Sequence, residues 1–143
     1  MREIKFRAWG KFESYDKENT MFELPFGKDM YWYEEGCINK FPKDWVIMQY
    51  TGLHDKNGKE IYEGDLITSP LIKAEFLPCL VKFGEYTDIA EAGYTSHTNI
   101  GFYIQDSTGQ QTGLLNEELL IEWDSFEVIG NIYENPELVS DKK

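Results

Sequence analysis

The side chains of this 143-residue chain that could do chemistry are two histidines, two cysteines and twenty-six carboxylates. His54 and His97 are too few for most histidine-based metal sites, which gather several imidazoles at one centre. Cys37 and Cys79 stand alone, without the paired spacing of a zinc or redox site. Asp55-x-Asn57 opens like a calcium loop, but such a loop needs Gly at its sixth position and Glu at its twelfth, and here Gly58 stands fourth. No P-loop, GxGxxG, HExxH or GxSxG pattern occurs. Two carboxylates can hydrolyse a glycosidic bond when space brings them together, but among twenty-six acids closeness along the chain says nothing about that. The sequence therefore assigns no catalytic, cofactor-binding or metal-binding residue. The tryptophans, Trp9, Trp32, Trp45 and Trp123, are expected in the core and not on a ligand platform.

Charge is more informative than motif. Residues 1–43 carry eight basic and eight acidic side chains, so the net charge of −12 comes entirely from residues 44–143. After Lys82 no Lys or Arg appears until Lys142, and twelve acids lie between them. Such a surface repels phosphates, so direct nucleic-acid binding is not expected. The acids can solvate the surface, meet a basic protein partner, or mimic DNA toward a DNA-binding protein. Glu117, Glu118 and Glu122 are the densest group. Charges at Arg2, Glu3 and Lys5 stand where a secretory segment needs an apolar run, and no stretch approaches the roughly 18 apolar residues of a membrane span. A cytoplasmic protein without membrane contact is the expectation, with both cysteines as free thiols.

The elements that must position these residues read as short strands. Residues 3–9 alternate, with Ile4, Phe6 and Ala8 on the face assigned to the core and Glu3, Lys5 and Arg7 outward. Residues 20–24 can pair with them across a polar turn at 15–19. Residues 25–42 read as an irregular loop with a short strand near 30–33, and residues 45–50 as a central strand. Pro78 confines the first half of a strand at 76–83 to an edge or bulge. Residues 85–99, including His97, read as a mobile polar loop, 100–105 as a strand and 106–109 as a turn. Residues 114–123 are the candidate helix, with Asn116 as the cap for Glu117-Glu118, and strand is the alternative for so short a segment. A strand at 126–133 and a single helical turn at 135–138 follow. Many short strands between turn signals indicate a mainly β chain, a small barrel or sandwich with at most one or two short helices.

The central block, residues 48–67, reads MQYTGLHDKNGKEIYEGDLI. Asp55-Lys56-Asn57-Gly58 has the composition of a type I turn, with Asp first and Gly fourth in a left-handed bulge. That register pairs Asp55 with Lys59, His54 with Glu60 and Leu53 with Ile61, in place of Asp55 against Glu60, and each favourable pair contributes roughly 0.2–1 kcal/mol. His54 is then a surface neighbour of Glu60. Gly64-Asp65 forms a corner of the kind used in SH3-like barrels, with the acid capping a sharp reversal.

This block resembles the centre of the YopX family of phage and prophage proteins. Residues 1–9, MREIKFRAW, look like that family's opening strand, and residues 126–138, FEVIGNIYENPEL, like its closing segment. Gly10 and His54 depart from the pattern, where an acid or amide and a Lys are usual. The resemblance implies one β-rich domain over residues 1–143 and a phage or prophage origin, and it supplies no catalytic residue. The expected role is a non-enzymatic binding or assembly protein that self-associates. The alternatives are a metal-dependent nuclease or glycosidase built from scattered carboxylates, or an acidic DNA mimic.

Overall fold

A computed structural model of the chain describes residues 3–11, 17–24, 33–34, 37–38, 44–88, 97–114 and 126–140. The protein is mainly β. Strands β1 (Phe6–Gly10), β2 (Thr20–Leu24), β3 (Tyr33–Glu34), β4 (Cys37–Ile38), β5 (Val46–His54) and β6 (Glu60–Tyr62) precede β7 (Asp65–Thr68). Then come a 3-10 turn at Ala74–Phe76, β8 (Cys79–Asp88), β9 (His97–Gln105), β10 (Gln111–Leu114), β11 (Glu127–Asn131) and a short helix, Glu137–Ser140. One sheet runs β2-β1-β5-β6, a second runs β10-β9-β8-β7-β11, and β3 pairs β4. All the pairings are antiparallel.

The chain passes from the first sheet to the second at Glu63-Gly64, between β6 and β7. Gly64 sits at φ 83°, where glycine alone is at ease. Its N–H donates to Val81 O at 2.9 Å and its carbonyl accepts from Ile132 N–H at 3.0 Å, so the corner is bonded to the chain beside both β8 and β11. The core lies beyond it: Ile61, Ile67, Cys79, Val81, Phe102, Ile104, Phe126 and Val128 are buried together, with Leu53, Ile72 and Leu77 against them.

The central hairpin has the register its turn chemistry dictates. His54 pairs with Glu60, Asp55 N–H donates to Lys59 O, Gly58 N–H donates to Asp55 O, and Gly58 has φ 81°. The expected Leu53–Ile61 pair does not form. The register shifts between Tyr50 and His54, around Gly52 at φ 87°, and the Thr51 hydroxyl bonds Ile61 O at 2.7 Å. Leu53 packs on the core cluster instead.

Other expectations need correction. Ile4 is 56% exposed, because β1 begins only at Phe6, and Arg7 is drawn inward while Ala8 is buried. Both ends of the supposed loop at 85–99 are strand, because the β8–β9 ladder continues through Glu85–Ile100, Tyr86–Asn99, Thr87–Thr98 and Asp88–His97, while residues 89–96 lie outside the described residues. Buried Tyr86, stacked on Tyr103, anchors it. His97 therefore begins β9. Residues 74–76 form a 3-10 turn, and strand starts at Cys79, directly after Pro78. The expected helix at 114–123 lies outside the described residues, except that Leu114 ends β10. Of the turn at 15–19, residues 17–19 are described and 17–18 form a bend, and of the loop at 25–42 only β3 and β4 are described.

Two glycine substitutions separate the cost of backbone conformation from that of crowding. A Cβ at Gly58 would meet nothing within 4 Å, whereas one at Gly64 would stand 3.2 Å from the Tyr133 ring and 3.3 Å from Met48 Sδ. Gly58→Ala is expected to lower stability by about 1–2 kcal/mol, the cost of the left-handed conformation. Gly64→Ala is expected to cost measurably more, read from urea unfolding midpoints. Equal losses would contradict the crowded corner.

Candidate functional site

The densest polar cluster among the described residues gathers on β1, β5 and β6 and at the corner. Arg7 leaves β1 and bonds the Asp65 carboxylate through Nη2, which also approaches Glu63 O at 3.5 Å. The Asp65 side chain is 1% exposed and that of Arg7 11%. The other Asp65 oxygen accepts the Tyr62 N–H at 2.8 Å, so the acid caps the reversal as the Gly-Asp pattern predicts. The guanidinium lies 4.5 Å from the Tyr62 ring centroid, and Arg7 Nε is buried with no hydrogen-bond partner.

The cluster continues outward. Lys5 bonds Glu60, pairs with Glu3 at 3.3 Å and lies 5.5 Å from the Tyr50 ring centroid. Tyr62 donates its hydroxyl hydrogen to Glu60 at 2.8 Å. His54 Nδ1 is 3.3 Å from the Tyr50 hydroxyl. These contacts shift the proton affinities of the groups that make them. Glu60 raises Lys5, and Lys5 lowers Glu60. Burial, then Glu60, keeps the Tyr62 phenol protonated far above neutrality. Burial pushes Asp65 up against the opposing pull of Arg7. Each charged group here is answered by another group of the same cluster, which locks β1 to β6 and to the corner.

A second polar centre sits at the hairpin tip. Asp55 Oδ1 accepts Asn57 N–H at 2.8 Å and Lys59 N–H at 2.9 Å, while Oδ2 accepts Val128 N–H at 3.0 Å from β11. Lys56 N–H donates to Phe126 O, and its ammonium pairs with Glu127 at 2.6 Å. Asp106 repeats the device: Oδ1 accepts from Thr108 N–H at 2.9 Å and Gln110 N–H at 3.0 Å, and Gly109 N–H donates to Asp106 O. The Asp55-x-Asn57 pattern is thus a turn, and its oxygens are filled by backbone donors.

The residues singled out from sequence do not converge. His54 is an exposed neighbour of Glu60, as expected, and Cys79 is buried with its thiol donating to Phe76 O at 3.6 Å. The side chains of Cys37 and His97, and residues Trp32, Glu117, Glu118, Glu122 and Trp123, lie outside the described residues. Trp9 stacks on Tyr133 at 6.4 Å, and Trp45 meets Phe22 edge-on at 4.7 Å. Of the twelve acids after Lys82, five have described side chains. Asp106 is buried in its turn and Glu127 pairs with Lys56, while Glu85, Glu134 and Glu137 are exposed, Glu134 also accepting from Asn131. Among the described residues no three His, Cys, Asp or Glu gather where they could hold a metal ion. The Arg7–Asp65 pair escaped sequence reading. Its partners are 58 residues apart, and strand alternation placed Arg7 in solvent.

Fold and site together define a small antiparallel β protein whose two sheets are joined at a buried Arg–Asp corner. The family model for the YopX protein matches residues 5–140, and the chain belongs to the YopX family. Among solved structures it is similar to the crystal structure of protein EF1440 from Enterococcus faecalis. The two are 26% identical with a TM-score of 0.53, over 98% of this chain and 100% of that one. No curated protein matches.

Asp55 gives a pH test. Burial works against its charge, but the Val128, Lys59 and Asn57 N–H groups outweigh it and hold the carboxyl below its ordinary value of 3.8. A lowered folded pKa stabilises the protein above the unfolded value, and that stability is lost as pH falls through the folded one. Asp55→Asn keeps an acceptor for the turn but turns an N–H₂ toward Val128 N–H, and is expected to cost about 1–3 kcal/mol at neutral pH. The gap to wild type, measured by urea unfolding, should narrow below about pH 4. A gap independent of pH would contradict the assignment.

Proposed function

We propose that this chain is a non-enzymatic binding protein encoded by a phage or prophage, and that it meets a basic protein partner. One observation carries the reading: the polar residues that most resemble a reactive array, Lys5, Arg7, Glu60, Tyr62 and Asp65, are engaged with one another. Lys5 and Tyr62 line an open cavity with Glu3 and Glu23, but the Tyr62 phenol is held protonated and gives its hydrogen to Glu60, so the cluster presents no activated nucleophile there. The net charge of −12 supplies the sign of the partner, since long-range attraction speeds encounter with a basic surface and repels nucleic acid.

The test sets this reading against a carboxylate enzyme. Immobilised protein incubated with host lysate should retain a basic protein that elutes as salt rises, because screening weakens charge-driven association. Its melting temperature should not move with Mg²⁺ or Mn²⁺. A rise of several degrees with either ion would reveal a native-state metal site and favour a metal-dependent nuclease or glycosidase.

A further inference from the structure

The ribbon of β8 and β9 carries one face of side chains from the core out into solvent. In register, Val81 stands opposite Ile104, Phe83 opposite Phe102 and Glu85 opposite Ile100, and alternate residues along each strand share a face. Val81 and Ile104 are fully buried and Phe102 is 5% exposed, whereas Phe83 is 47% exposed and Ile100 73%. The face therefore stays apolar past the point where the core stops covering it. Phe83 is held in place, edge-on to the Phe102 ring at 5.0 Å. Exposed Glu85 lies beside Ile100, and Thr87 and Thr98 extend the face outward.

The outer edge of β8 is capped beside this face. Phe83 N–H meets the Glu63 carboxylate, and the Gln111 side chain spans Glu85 O and Thr87 N–H, each at 3.2 Å. These side chains occupy backbone groups of that edge, and the exposed face of Phe83, Glu85 and Ile100 lies beside it.

We propose that this face docks a protein partner whose contact surface has an apolar centre and a rim of Lys or Arg. The proposal rests on the basic-partner reading and adds the surface that makes the contact. Charge complementarity selects the occupant. Glu85 sits within the patch, and no Lys or Arg follows Lys82 until Lys142. Two copies meeting here about a twofold axis would bring Glu85 toward Glu85, with −12 on each chain, a like-charge arrangement that costs affinity. A basic rim removes that cost, while Phe83 and Ile100 supply the desolvated centre that carries most of an interface's energy.

The probe is a labelled helical peptide with Leu on one face and Lys on the other, followed by fluorescence anisotropy. A Lys/Gln peptide of equal charge and a Leu/Glu peptide serve as comparisons. The full chain is expected to bind the Leu/Lys peptide best and the Leu/Glu peptide least. Phe83→Ser/Ile100→Ser and Glu85→Lys should each weaken Leu/Lys binding about tenfold or more. Since Phe83 leans on Phe102, Ile100→Lys provides a second variant at the most exposed position, and unchanged circular dichroism checks its fold. Undiminished binding by both Ile100→Lys and the double variant would overturn the surface and leave the basic-partner reading intact. Failure to bind either Lys peptide would remove that reading as well. A dimer by light scattering that these substitutions dissolve would overturn the proposal in favour of a second copy.

Discussion

The ion pair between Arg7 and Asp65 is the constraint on which the rest of this structure depends. Asp65 starts β7 directly after the chain has left one sheet for the other, and both of its oxygens are committed, one to Arg7 of β1 and one to the Tyr62 N–H. Burying a carboxylate and a guanidinium costs several kcal/mol per ion, and the loss is offset only where geometry and extra hydrogen bonds are good. Here the extra contacts are the Tyr62 amide, the Tyr62 ring and Glu63 O. The pair specifies the corner more than it adds net stability. Arg7, Tyr62 and Asp65 meet where the chain leaves β6 in one sheet for β7 in the other. Gly64 at φ 83° and the Trp9–Tyr133 stack then close the corner from the other side.

The two aspartate turns work in a complementary way. Asp55-Lys56-Asn57-Gly58-Lys59 and Asp106-Ser107-Thr108-Gly109-Gln110 use the same local bonds, with the acid accepting from residues two and four further on and glycine bonding back. Such turns fix hairpin register with little help from distant contacts. They differ in what the second carboxylate oxygen does. At Asp55 it reaches Val128, so a local turn also fastens the first sheet's hairpin to β11 of the second. The two sheets are therefore joined at both ends of β6, by Asp55 at the tip and by Asp65 at the corner.

What could be read from the sequence followed the range of the interactions. The 55–58 turn, the Gly64-Asp65 corner, the 106–109 turn and the β1–β2 pairing rest on residues near one another, and their chemistry is local. The burial of Arg7 could not be read, because its partner is 58 residues away and strand alternation alone sends it outward. The length of the β8–β9 ribbon was hidden for a related reason. Glu85, Thr87, Thr98 and Asn99 look like loop residues, yet buried Tyr86 and cross-strand pairing hold them in strand. Within the run of acids after Lys82, Asp106, Glu127 and Glu134 each have a structural partner, which composition cannot foresee. No candidate site was legible because the polar residues that cluster among the described residues serve the corner and the turns.

The most direct test of the corner is a double-mutant cycle on Arg7→Met and Asp65→Asn, read as unfolding free energies. Each single change strands a buried partner and is expected to cost about 3–5 kcal/mol. The double change should cost less than the sum of the two by about 2 kcal/mol or more, since the second substitution then removes an already unpaired group. Losses that add within about 0.5 kcal/mol would mean the two residues act independently, and the corner would be held by something other than this pair.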